Sequence, residues 1–478
     1  MSVNHDTIKR DAETSAVPGN RWSRLARLGS LATGIAGNML AEGARQFAQG
    51  KRPRVGDLLL TPANARRVAD QLAQLRGAAM KVGQLLSMDA GDLLPPEIRD
   101  ILARLRADAR PMPMSQVVSV LNASWGEGWD RHFRLFSFTP VAAASIGQVH
   151  RAQTIDGKQL AIKIQYPGVR QSISSDVDNV ATLLRLSGLL PPGLDLAPLL
   201  EEAKLQLHAE ADYLREGASL DRYGALLAGD SDVALPELHA ALTTENVLAM
   251  SYVEGVPIES LADAPQADRD RMARLLFDLL FRELFEFRLI QTDPNFANYR
   301  YDTKSRRLIL LDFGATRSYP TKMVDAYGRL MAGAIADDRP AMSAAAIDIG
   351  YFRDSIDERQ RRAVLDIFSL ACEPLRHAGD YDFGRTDLAA RLRAAGLALS
   401  LQKEAWHTPP ADAIFLHRKL GGLYLLAARL GARVNVQALV RPHRGSGGTT
   451  SPKRSRLLAR PADRPTLAAG RPRRHAAA

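Results

Sequence analysis

Asp293, Asn298 and Asp312 constrain this chain more than any other feature of its 478 residues. The segment Asp293-Pro-Asn-Phe-Ala-Asn298 is followed by Asp312-Phe-Gly314, which closes an apolar run, Leu308-Ile-Leu-Leu311. Magnesium takes hard oxygen ligands in near-octahedral geometry and draws some of them from phosphate. In this spacing Asn298 offers a neutral oxygen and Asp312 a charged one. Asp293 stays free to take a proton from a hydroxyl or from water. A D-F-G triplet alone recurs by chance. Both elements together, in this order and near the expected separation, are a strong signal of a metal-phosphate site.

Upstream, Leu160-Ala-Ile-Lys163-Ile puts a lysine inside an apolar strand, the V-A-I-K arrangement that holds the α- and β-phosphates of a nucleotide. Alone, such a lysine reads as a gatekeeper on a strand edge; the downstream pair changes that reading. A phosphate-holding lysine needs a carboxylate from a helix. Glu210, Asp212 and Glu216 fall in one helical stretch. Asp212 and Glu216 share a face, and Glu210 lies about 200° from Asp212. Glu216 is the expected partner, although any one of the three alone reads as a solvated acid. Just before the lysine strand, Val141-Ala142-Ala143-Ala144-Ser145-Ile146-Gly147-Gln148 stands where a glycine-rich phosphate loop belongs. Alanine resists positive φ and keeps backbone amides farther from phosphate. The run Ala142, Ala143, Ala144, Ser145 and Gly147 is therefore expected to hold nucleotide in an altered way.

Length exceeds what one hydrophobic core usually supports, so two or more lobes are expected. Short strand-like runs (148–152, 160–165, 247–252, 308–312) alternate with helical segments at 176–190, 198–228 and 267–288. After Tyr319 the pattern is almost wholly helical to about Val436. A strand-rich half followed by a helix-rich half is an α+β arrangement with the site between. The longer apolar stretches fall short of the roughly 20 residues a membrane span needs. A single cysteine, Cys372, excludes an intrachain disulfide. Acidic residues near the start and the lack of an early apolar run argue against a secretory signal. The net charge of +10 suggests nucleic acid, but residues 441–478 hold ten Lys/Arg against Asp463, leaving the remainder near neutral. Such a tail is expected to be disordered, and no specific nucleic-acid partner is expected. Leu25, Leu28, Leu31, Ile35 and Met39 share a helical face flanked by arginines, which fits a helix on a membrane surface or one packed on the protein's own body.

Together these segments resemble the UbiB family of atypical kinase-like proteins, also called the AarF or ADCK group, over roughly residues 22 to 437. The motifs are Lys81-Val-Gly-Gln84 (K-x-G-Q), Ala142-Ala-Ala-Ser-Ile-Gly-Gln148 (the alanine-rich loop) and Glu210-Ala-Asp212 (E-x-D). Gln291-Thr-Asp-Pro-Asn295 and Leu311-Asp-Phe-Gly-Ala-Thr-Arg317 match the catalytic and metal loops. Gln165-Tyr-Pro-Gly168 and His417-Arg-Lys-Leu-Gly421 are smaller matches. The resemblance, closest to the branch supporting coenzyme Q biosynthesis, implies a two-lobed kinase-like fold with an N-terminal helical extension and a helix-rich C-lobe. It implies ATP and Mg²⁺ as cofactors, with Asp293, Lys163 and Glu216 catalytic and Asn298 and Asp312 on the metal. The backbone around Met250 and Val253 would meet adenine. Lys81 and Gln84 would reach Glu210 and Asp212 across the cleft as a lid over the place where a protein substrate sits.

The domains implied are a flexible 1–24, an extension over 25–135, an N-lobe over 136–253, a C-lobe over 254–437 and a basic tail over 438–478. A membrane lipid or quinone-precursor surface and proteins of quinone biosynthesis are the partners implied. The protein would sit on the inner membrane's cytoplasmic side in a bacterium, or on the matrix side in mitochondria; the N-terminus leans bacterial. A conventional kinase and a non-catalytic nucleotide- or lipid-binding scaffold are the rival readings. The first differs only in its acceptor, and the intact Lys163, Asp293, Asn298 and Asp312 argue against the second.

Overall fold

In the computed structural model the described residues are 72, 75–89, 111–186, 196–293, 295–352, 356–400 and 409–443. The expected mobile N-terminus, the surface helix over 25–49, the tail from 444, Pro294 and the Gln84 side chain lie outside them.

The N-terminal part begins with helices α1 (Arg76–Asp89) and α2 (Met114–Trp125). Strands β1 (Phe133–Ala144), β2 (Gly147–Thr154) and β3 (Gln159–Gln165) follow. Helices α3 (Val169–Leu186), α4 (Ala197–Glu210) and α5 (Tyr213–Leu226) lead through β4 (Val233–Ala234) to β5 (Val247–Ser251). One antiparallel sheet runs β1-β2-β3-β5. The strand period of two sorts β3 cleanly. Leu160, Ile162 and Ile164 join Val117 and Leu121 of α2 in a core on one face. Ala161 and Lys163 therefore belong to the other face, toward the cleft. The sheet reaches back to Phe133, and α2 packs on it, although sequence alone placed both in the extension.

The stretch over 198–228, expected as one helix, is two. Asp212 leaves the helical range and its side chain accepts from the Arg215 amide (3.0 Å), capping α5. An aspartate that caps competes with continued helix, which the apolar spacing does not reveal. Gln165 holds the break from outside, its amide donating to the Ala211 carbonyl at 2.9 Å.

Past β6 (Val256–Pro257), α6 (Gln266–Phe281) is apolar on most sides over its C-terminal half and correspondingly buried. It runs into a π-helical turn, Arg282–Phe287, ended by Arg288 at φ 50°. The chain then enters β7 (Leu289–Gln291), β8 (Tyr299–Tyr301), β9 (Leu308–Leu310) and β10 (Thr316–Ser318). β8 pairs with β9, and β7 with β10. The loop from β7 to β8 and the loop from β9 to β10 must therefore lie side by side, and these carry Asp293, Asn298 and Asp312. Helices α7 (Thr321–Ala336), α8 (Arg339–Ile349), α9 (Glu358–Ala371), α10 (Leu388–Ser400), α11 (Ala411–Leu430) and α12 (Val436–Val440) complete the lobe. A short pair, β11 (Tyr381–Asp382) with β12 (Arg433–Val434), interrupts the expected all-helical run. Helical order extends through His443 with Val440 buried, so residues 438–443 belong with the lobe rather than with a disordered tail. Among the described residues no helix is long and apolar enough to cross a membrane.

Candidate active site

Two backbone hydrogen bonds fasten the site loops to each other at both ends. The Leu311 amide donates to the Asn298 carbonyl (3.0 Å) and the Thr292 amide to the Ala315 carbonyl (3.1 Å). Inside this frame the Asn298 amide nitrogen donates to Asp293 Oδ2 at 3.0 Å. That bond occupies the donor half of the asparagine and leaves its carbonyl oxygen, the half that ligates a cation, for other use. Asp312 Oδ1 accepts from the Gly314 amide at 2.9 Å.

Lys163, on the cleft face of β3, places its ammonium 3.0 Å from both Glu216 oxygens and 3.2 Å from Asp312 Oδ2. It also lies 5.2 Å from the ring centroid of Tyr213. Burial opposes the Lys163 charge, but Asp312 and Glu216 outweigh it and hold the ammonium well above its ordinary value. Burial, reinforced by the Asp312 and Glu210 carboxylates, pushes Glu216 up to about 7 against the pull of Lys163. Burial would raise Asp312 too, yet Lys163, the Gly314 amide and Lys81 keep it below the usual carboxylate range.

A second lysine enters from α1. Lys81 is 2% exposed, and its ammonium meets Glu210 Oε1 at 2.5 Å. Burial opposes its charge as well; Glu210, Asp293 and Asp312 more than restore it. Four carboxylates (Glu210, Glu216, Asp293, Asp312) thus face two lysines, a surplus of negative charge that suits a divalent cation. One ionised carboxylate and one amide oxygen, Asp312 and Asn298, form the hard, incomplete donor set that magnesium accepts when phosphate supplies the rest. The residues fit the ion.

Of the expected lid contacts, Lys81 meets Glu210, whereas Asp212 is taken up as a helix cap. The alanine-rich segment is an extended hairpin, Ala142 to Ala144 ending β1, Ser145 and Ile146 in the turn, and Gly147 opening β2. A Cβ at Gly147 would lie 2.2 Å from the Ile164 carbonyl oxygen, so strand contact alone demands glycine there. At Gly77 of α1, a Cβ would stand 2.6 Å from the Ser145 carbonyl oxygen, which puts α1 directly on the alanine-rich turn. Met250 pairs with Ala161 at the end of β5 and is buried; Val253 follows on irregular backbone, half-buried.

Arg215 was not anticipated. Its guanidinium donates to the Gly314 carbonyl and, at 3.1 Å, to the Ala209 carbonyl, bridging the helix break to the D-F-G turn. Its proximity to Asp212 and Glu216 was the available signal, but nothing in the spacing separates it from a surface arginine.

A lysine-bearing sheet, a helix carboxylate and paired loops with Asp293, Asn298 and Asp312 define a protein-kinase-like nucleotide site. The ABC1 atypical kinase-like domain matches residues 104–346. The chain is 36% identical over 436 residues to atypical kinase COQ8, mitochondrial, of Saccharomyces cerevisiae, covering 91% of this chain and 87% of that protein. It is 37% identical over 420 residues to atypical kinase COQ8B, mitochondrial, of Rattus norvegicus, covering 87% and 79%. Among solved structures, Rv3197 from Mycobacterium tuberculosis, in complex with erythromycin, aligns with a TM-score of 0.54 at 25% identity, over 78% of this chain and 95% of that one. The chain belongs to the ABC1 family of atypical kinase-like proteins, and is an atypical kinase-like enzyme.

Proposed function

We propose that this protein is a Mg²⁺-dependent ATPase that supports coenzyme Q biosynthesis at a membrane surface. Lys163 holds the α- and β-phosphates, and Glu216 orients Lys163. Asn298 and Asp312 hold the metal, which neutralises charge on the phosphate oxygens when bound. Asp293 positions a water and takes its proton as the γ-phosphoryl group passes to that oxygen and ADP leaves. Ala142 to Ser145 and Gly147 cover the phosphates, and backbone near Met250 and Val253 meets adenine. The domains we assign are the extension with its lid, an N-lobe from about 112 to 253 and a C-lobe beyond it.

The observation that carries the ATPase reading over a conventional kinase is Lys81. It is buried, paired with Glu210 and within electrostatic reach of Asp293 and Asp312, and on this reading it takes up space that an acceptor would need. Water can reach such a site more easily than a protein hydroxyl can. The names of the yeast and rat relatives support a place in coenzyme Q biosynthesis and a mitochondrial setting in a eukaryote; the face proposed is the matrix side there, or the cytoplasmic side of the inner membrane in a bacterium. A lipid or quinone-precursor surface and the pathway's own proteins are the partners proposed. The test follows γ-labelled ATP. Wild type is expected to release label as phosphate, and Lys81→Ala to label the protein itself. Strong labelling of an added protein by wild type overturns the reading.

A further inference from the structure

Lys419 lies at the middle of α11, where a lysine normally faces solvent, yet it is 2% exposed. Two of its N–H donors have hydrogen-bond acceptors, and a carboxylate stands at ion-pair distance. The ammonium donates to Tyr299 Oη at 2.6 Å and to Gln291 Oε1 at 3.1 Å, and stands 3.7 Å from Glu283 Oε2. Gln291 is two residues before Asp293, and Tyr299 directly follows Asn298. One buried cation therefore grips both ends of the segment that carries the proposed base and metal ligand. Glu283, fully buried, extends the grip. Its Oε1 accepts from the Gln291 amide (3.3 Å) and from the Tyr223 hydroxyl (2.6 Å), and Tyr223 rides on α5, the helix of Glu216. Tyr223 also packs on Phe313 of the D-F-G turn, ring centroids 4.9 Å apart. Glu283 reaches this position from a π-helical turn, a deviation that proteins keep mostly where function needs it.

We infer that Lys419 is a positioning residue, a clamp that fixes the separation of Asp293 from Asn298 and links it to the helix of Glu216. The inference rests on the ATPase reading above for its kinetic effect, and on geometry alone for its effect on loop order. A bland role competes with it: Lys419 could serve only to neutralise Glu283, since a buried charge left unpaired is strongly destabilising.

The full chain tests this with Lys419→Met, Glu283→Gln and the double variant. Lys419→Met is expected to lose stability through the stranded Glu283. The double variant removes both charges and is expected to regain folding, while its kcat for ATP stays at least tenfold below wild type with KM within threefold. Lys419→Arg keeps the charge but adds bulk to a buried site, and is expected to restore stability and kcat only in part, because the planar guanidinium cannot meet both acceptors as the ammonium does. Full kcat in a folded double variant would reduce the pair to simple charge balance. Should the double variant not fold, Tyr299→Phe removes one acceptor without touching charge. It is expected to cost at least threefold in kcat, and a wild-type kcat there overturns the clamp. Amide exchange of 291–300 is expected to quicken in these variants while 147–165 stays unchanged. A wild type without ATP turnover would defeat the functional reading and leave exchange to decide, with an unchanged 291–300 counting against the clamp.

Discussion

Replacing Gly77 by alanine sets two effects of opposite sign against each other. Alanine in a helix interior is favoured over glycine by about 0.8–1.0 kcal/mol; Gly77 is in the first turn of α1, so propensity alone stabilises by less than that. The new Cβ, however, would stand 2.6 Å from the Ser145 carbonyl oxygen and 3.2 Å from Ile146 Cγ2. The nearer obstacle is backbone, which cannot rotate away, so α1 or the alanine-rich turn must move. Overpacking of this kind costs about 1–3 kcal/mol. The expected balance is a net loss of no more than about 3 kcal/mol, small enough for the variant to fold. The functional effect should exceed the thermodynamic one, because the displaced parts are the lid helix and the turn proposed to cover phosphate. The assay pairs urea unfolding with ATP saturation kinetics. A modest stability loss with KM for ATP changed at least threefold is expected. A gain of about 1 kcal/mol with unchanged KM would show that α1 does not press on the turn, and would refute the mechanical link between lid and nucleotide loop.

Two further predictions use the C-lobe. His417 is stacked on Tyr351 (centroids 5.3 Å apart), and burial pushes its pKa down to about 4. The unfolded state takes up a proton near pH 6.5 that the folded state refuses until about 4, so stability should fall across that window as pH drops, by on the order of 3 kcal/mol. His417→Leu should flatten the slope of urea stability against pH by about one proton, and an unaltered slope would contradict the assignment. Burial likewise pushes the Cys372 thiol up to about 12. It should resist a thiol reagent in the native state and react in denaturant; fast native labelling would show that the surrounding helices open readily.

The fold was legible where residue type and spacing carry chemistry. Lys163 in its strand, Glu216 on its helix and the two loop motifs need no structure to be noticed, because few alternatives use them together. The topology explains why they work: β8 on β9 and β7 on β10 force both loops to one place. What was not legible depended on long-range packing. The capping choice of Asp212 breaks a helix that periodicity draws as continuous. Lys419 looks like any lysine in a 20-residue helix until Gln291 and Tyr299, more than a hundred residues away in sequence, close around it. Gly147 stands in the run expected to hold nucleotide, whereas the approach of β3 already requires glycine there.

Metal-bound ATP turnover at Asp312 is proposed to sustain coenzyme Q synthesis. Asp312 is the carboxylate proposed for the cation, and losing one such electrostatic group typically costs on the order of 3–4 kcal/mol of transition-state stabilisation. The decisive measurement is quinone content in cells lacking the gene, complemented with wild type or Asp312→Asn at matched protein level. Melting and Mg²⁺-dependent phosphate release are recorded on the purified proteins. The expected result is a folded Asp312→Asn protein that releases phosphate at under a hundredth of the wild-type rate and does not restore quinone. A folded Asp312→Asn protein that restores quinone in full, or hydrolyses ATP as wild type does, would contradict it.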